Sequence, residues 1–169
     1  QANLRLNPLL QGRVHLENVF LVDHDAASAP QTVFASWPVG RPDHPVDPEH
    51  LGRPMELTTA RAATGDAIAA AHGLDRLDFV KLDVDGHELA VLQGMSGTLR
   101  RFHPNLMMEI APFVLDRHSP RALADLLALV ADLGYRLRSS DSGRALPQRE
   151  EELRRLIGAG GSLNVLLQR

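Results

Sequence analysis

In DFVKLDVDGHELAVLQGM, residues 78–95, an apolar run, a glycine and a helical repeat follow one another directly. That succession constrains the fold more than any other feature of the chain. Residues 78–84 read as a strand, and Gly86 supplies a turn. Leu89, Leu92, Leu99 and Phe102 then recur at the spacing of one helical face, which His103-Pro104 ends. Residues 105–111, NLMMEIA, open the next strand. Strands alternating with helices predict an α/β fold with a mostly parallel sheet.

The flanking sequence extends the pattern. Residues 2–10 read as the end of a helix with Leu4, Leu6 and Leu9 to bury, residues 14–22 as a strand and residues 31–36 as another. Residues 37–54 carry five prolines and read as an irregular loop insertion, with a returning strand at 55–60. Thr64 or Asp66 caps a helix through about Ala71. Ser119 and Pro120 open a helix over 119–133, YRLRSS reads as a strand, PQREEELRRLIG as a short helix and SLNVLLQ as a closing strand. The 169 residues form one domain large enough for a real core.

Bulk properties exclude several classes. A formal charge of −3 offers no basic field for nucleic acid or an anionic membrane. No apolar run approaches a membrane span, and a cytoplasmic location is the default. With no cysteine, disulfides and thiolate chemistry are out. Lys81 is the single lysine beside seventeen arginines, which reads as composition bias. The chain opens QANLRL without an initiator methionine, so a fragment or trimmed product is expected.

DVDGHE places Asp83, Asp85, His87 and Glu88 within six residues at the carboxyl end of a strand, where open α/β sheets bind ligands. The blander reading is a helix cap and a dipole partner. A calcium loop fails on spacing, since an EF-hand puts its glycine after a third acid. A phosphatase with Asp83 as nucleophile and Asp85 as acid/base wants a downstream lysine and a later acidic pair, and the chain has no lysine after Lys81. A metal-holding glycosyltransferase DxD is a cousin of that idea, and the immediate helix argues against it.

The longer pattern DFVKLDVDGHELAVLQGMSGTL followed by HPNLMMEI resembles the signature of FkbM-type S-adenosylmethionine-dependent methyltransferases. Lys81, Asp83, Gly86, Glu88, Leu92, Gly94, Pro104 and Glu109 take the matching positions, and Asp85 stands where glutamate is usual. TGDAIAAAHGLDRLDF resembles the helix before that signature, with Gly65 in place of leucine. VFLVDHDAASAPQTVF resembles the family's third strand and hairpin, and SLNVLLQ its closing strand.

The resemblance implies a Rossmann-like class I methyltransferase sheet, with S-adenosylmethionine on a glycine-rich turn after the first strand and an acid at the end of the second. Neither is found in this sequence. The AHG of 71–73 does not substitute, and the GAGG of 158–161 reads as a flexible turn. The expected sheet therefore lacks its first two strands, which in the family lie between strands three and four, and it should expose apolar edges. Either the chain is part of a larger protein or it is a degenerate, non-catalytic relative.

The implied reaction is methylation of a hydroxyl on a sugar or polyketide-like small molecule. The expected catalytic residues are Asp83, His87, Glu88 and Glu109, with His87 as general base. The expected cofactor contacts are Asp23, Asp25, Asp83, Asp85 and Gly86. For Glu88 a helix-dipole role, for Glu109 a buried ion pair, and for Asp23 and Asp25 a solvated turn stay open. Lys81 is expected to pair with an acid. His44, Asp47, Glu49 and His50 match no zinc spacing, Trp37 is expected to pack the proline-rich loop down, with a substrate-facing lid left open, and no metal is assigned. No nucleic-acid or membrane partner is expected, and self-association stays open.

Overall fold

The structure, a computed structural model, describes residues 2–35, 53–57 and 59–169. The chain opens with a single turn, α1 (Ala2–Arg5), and a 3-10 turn at Pro8–Leu10. The strand β1 (Val19–Leu21) follows, then a hairpin of β2 (Thr32–Ala35) with β3 (Arg53–Glu56), then β4 (Arg61–Ala63). Next come α2 (Gly65–Ala71), β5 (Phe79–Leu82), α3 (Glu88–Gly94), α4 (Ser96–Phe102) and β6 (Asn105–Ile110). The last third contains α5 (Pro112–His118), α6 (Ala122–Asp132), β7 (Arg136–Ser139), α7 (Glu150–Ile157) and β8 (Leu163–Gln168).

The α/β class holds, and three of the four strands of the main sheet point the same way, with β8 alone reversed. The four strands run in the order β5-β6-β8-β7. β5 and β6 are parallel, whereas β8 enters between β6 and β7 antiparallel to both. The pleat explains why that register is fixed. Leu167 on β8 lies opposite Leu106 on β6 and Leu137 on β7, and none of the three is more than 1% exposed. A slip of one residue would turn this leucine row out of the core. Leu92 of α3 and Leu123 and Leu126 of α6 are sealed completely and cover the sheet. Each fully buried leucine contributes about 1.5–3 kcal/mol.

β1 and β4 form a separate parallel pair, and no strand among the described residues joins it to β5. Among the described residues β5 is therefore an edge, and Phe79 on it is 51% exposed. The pair is held instead by α3. A side-chain carbon at Gly94 would fall on the Val22 carbonyl oxygen, so only glycine lets the end of β1 come this close.

Several boundaries differ from expectation. Leu6 and Leu9 are 79% and 87% exposed rather than buried. Pro8, lacking an N–H, breaks the opening helix before it can present a continuous apolar face. The helix predicted over 89–102 is two helices bent at Met95, whose φ of −120° leaves the helical region. Asp66 accepts from the Gly97 and Thr98 amides at 3.0 and 2.7 Å, which gives α4 a cap from another element. Thr64, not Asp66, caps α2, its hydroxyl accepting from the Ala67 amide at 3.1 Å. β4 and α5 were not anticipated. Ser119 closes α5 through its amide, so α6 begins at Ala122 rather than at Ser119. Trp37 and the group His44, Asp47, Glu49 and His50 lie outside the described residues.

Candidate active site

The site is built on the turn that leaves β5. The His87 amide donates to the Val84 carbonyl at 3.1 Å, which closes a four-residue turn. Asp85 and Gly86 at its centre have φ of 47° and 99°. Two successive positive values define a type I′ turn, which suits Asp-Gly because aspartate tolerates the left-handed region and glycine has no side chain to clash. The Gly86 amide donates to Glu88 Oε1 at 3.1 Å, so the first acid of α3 reaches back to fasten the turn. Glu88 is 4% exposed. Burial raises its carboxyl above the ordinary range, with the nearby charges of Asp85 and Glu109 adding to the effect against hydrogen bonds that lower it.

This turn forms one wall of a cavity of about 710 Å³. Asp85 and His87 line it from the turn, Phe20 and Leu21 from β1, and Arg117 and His118 from the end of α5. The volume falls in the range that encloses a small molecule, and the mixture of apolar wall and few polar groups is typical of such sites. The His87 ring is gripped on two sides. Phe20 meets it edge-on at 5.1 Å between centroids, and His118 lies tilted against it at 4.7 Å. Burial, with the neighbouring His118 second, lowers its pKa below the ordinary 6.5. Asp85 shifts the other way, raised first by burial and then by the charges of Asp83 and Glu109.

The sequence-predicted residues divide clearly. Asp85 and His87 come together at the cavity. Asp83 faces elsewhere and pairs with Lys81, as expected of that lysine; both side chains are more than half exposed. Glu109 sits on β6 and has no ion pair among the described residues, and its charge is felt at Asp85 and Glu88. Asp23 Oδ1 lies 2.6 Å from His24 Nδ1. Asp25 accepts from the Thr64 hydroxyl at 2.8 Å and so ties the loop after β1 to the start of α2. Neither loop acid lines the cavity. Sequence reasoning missed Arg117 and His118 because it missed α5. The signal was present, since Pro112 stands just after the strand ending at Ile110, at a position where proline starts helices.

α5 is held in place from outside. Arg154 of α7 forms a two-pronged bond to Asp116 at 2.8 and 2.6 Å and also donates to Glu150 at 2.8 Å. Gly86 completes the fit, since a side-chain carbon there would lie 2.7 Å from Val114 Cγ1 and 3.0 Å from His118 Nε2. The missing side chain lets α5 close onto the turn.

No helix among the described residues is long and apolar enough to cross a membrane. No curated protein and no solved structure was found to match the chain. The family model described as methyltransferase FkbM domain matches residues 5–137, a span that takes in β1, the turn after β5 and the whole cavity wall on α5. The chain belongs to the FkbM methyltransferase family.

Proposed function

We propose that the chain serves S-adenosylmethionine-dependent methylation of a hydroxyl group on a sugar or polyketide-like small molecule. The observation that carries this reading is His87. It is a half-buried imidazole, facing the cavity at the carboxyl end of β5, whose lowered pKa leaves it unprotonated near neutrality. An alcohol is a poor acid, and a neutral imidazole beside it can take its proton as the oxygen becomes a nucleophile.

The cavity suits the donor. Its volume and the apolar surface of Phe20, Leu21 and Val33 fit a flat ring system, and the Asp85 carboxylate complements a cationic centre. When bound, S-adenosylmethionine supplies an electrophilic methyl group. The chain's own residues orient the acceptor, receive its proton at His87 and hold the turn rigid through Glu88. Asp23 and Asp25 shape the loop after β1, and Glu109 and Asp83 set the negative potential around Asp85. A cytoplasmic site of action accords with a small-molecule acceptor.

Titration calorimetry of the folded chain with S-adenosylhomocysteine tests the cofactor half of this reading, and micromolar binding would mean that the chain builds a cofactor site without the glycine-rich turn. Transfer of a radiolabelled methyl group to a panel of methyl glycosides tests the reaction, with and without chelator. His87→Asn should lower kcat by about 10²–10⁴-fold, the usual contribution of a general base. A folded chain that binds no S-adenosylhomocysteine sinks the reading for this chain by itself, and repeating the titration with sequence added upstream of Gln1 separates a partial cofactor site from a non-catalytic module. Activity abolished by chelator and indifferent to the methyl donor would point to the metal-dependent alternatives.

A further inference from the structure

We propose that His118, on the last turn of α5, is a positioning residue for His87, fixing that imidazole against Phe20 at the cavity wall. This rests on the reading of His87 as the base. Three observations converge on it. The rings of His87 and His118 lie 4.7 Å apart, and that of Phe20 lies 5.1 Å from His87, so two rings pack on the imidazole and restrict its turning. Gly86, the residue before His87, lacks the carbon that would press on His118 Nε2, so the turn is shaped to admit this side chain. Asp116, two residues before His118, is clamped by both terminal nitrogens of Arg154, which fixes the end of α5 from the far side.

The arrangement resembles the common device in which a catalytic imidazole is oriented by a second group, except that the partner here is another imidazole rather than a carboxylate. A second histidine adds a property that a carboxylate lacks. When His118 carries a proton it repels a proton on His87, so the base stays free over a wider range of acid pH. The other charged groups on the elements packed around His87 are Asp85 in its own turn, Glu88 of α3, Arg117 of α5 and, beyond them, Asp83 and Glu109. β1 presents only apolar side chains, Val19, Phe20 and Leu21. Among these, His118 is the neighbour whose charge holds His87 down, and burial is the larger cause.

The test needs no substrate. The imidazole carbon-proton signals of His87 are followed by NMR against pH in the whole chain and in His118→Phe and His118→Ala. Phenylalanine keeps the packing and removes the charge, whereas alanine removes both. The His87 midpoint should rise in His118→Phe and rise further in His118→Ala, toward the ordinary value. Circular dichroism confirms that each variant is folded, and if alanine unfolds the chain the phenylalanine variant decides. Coincident midpoints in a folded variant overturn the proposal. With an acceptor found by the methyl-glycoside panel, the acid limb of kcat should move with the NMR midpoint while KM for the donor stays unchanged. If no glycoside is methylated, the reading of the reaction fails, and the NMR midpoints still decide whether His118 governs His87.

Discussion

Replacing Gly86 by alanine tests how the turn and α5 fit together. Two costs add. Glycine adopts a φ of 99° freely, whereas an L-residue held at such a positive φ is strained by about 1–3 kcal/mol. The new carbon would also lie 2.7 Å from Val114 Cγ1 and 3.0 Å from His118 Nε2. Forcing an extra carbon into a filled site costs about 1–3 kcal/mol more. The sum is about 2–6 kcal/mol, and some of the second part is relieved if Val114 changes rotamer. Gly143→Ala is the internal control, since Gly143 has a φ of 67° and nothing within 4 Å. It incurs only the backbone part, about 1–2 kcal/mol. Urea unfolding of the three proteins measures the difference. With a slope of about 2 kcal/mol per molar, Gly86→Ala should lower the midpoint by about 1–3 M and Gly143→Ala by about 0.5–1 M. Equal midpoints for the two variants would refute the claim that α5 closes against Gly86, because the packing cost would then be absent.

Other outcomes follow from the same geometry. Burial raises the Glu88 carboxyl above its ordinary 4.5, so the folded chain keeps a proton over a range of pH in which the unfolded chain has lost it. Stability from this group is therefore full below about 4.5 and declines as pH rises through the folded value. Glu88→Gln keeps the acceptor for the Gly86 amide, so it should be more stable than the parent at pH 8, with the advantage vanishing toward pH 4 in urea midpoints. His87 has the opposite sign. Its pKa is depressed, so acidifying from neutrality through 6.5 should cost stability, and His87→Asn should flatten that dependence. Asp66→Ala removes the acceptor of the Gly97 and Thr98 amides and should cost about 1 kcal/mol, with those two amides exchanging faster in hydrogen-exchange measurements.

Some of this was legible in the chain alone. The strand, Asp-Gly turn and helix of residues 78–95 were readable because each depends on local chemistry: side-chain alternation, the positive φ that glycine allows, and the 3.6-residue repeat. The same locality made Thr64 readable as a cap, and it brought Asp85 and His87 to one place, since three consecutive turn residues cannot be far apart. The family, too, follows from a run of residues at fixed spacing.

Tertiary structure decided what neighbours in space determine. Asp83 is two residues from Asp85, yet it stays beside Lys81, two residues back on the same side of the chain, while the turn over residues 84–87 carries Asp85 and His87 to the cavity. Glu88 owes its raised pKa to burial first, with the charge of Glu109 on another element adding to it, which no spacing along the chain encodes. The bend at Met95 depends on Asp66, and the cap comes from 31 residues away. His118 is the clearest case. Its helix is short and its own sequence context is unremarkable. It reaches His87 only because Arg154 holds the end of α5 and Gly86 leaves it room. Sequence alone thus determined the turn that offers the base, whereas packing between α5, α7 and β1 decided what surrounds it, because contact between distant segments is set by which surfaces bury each other best.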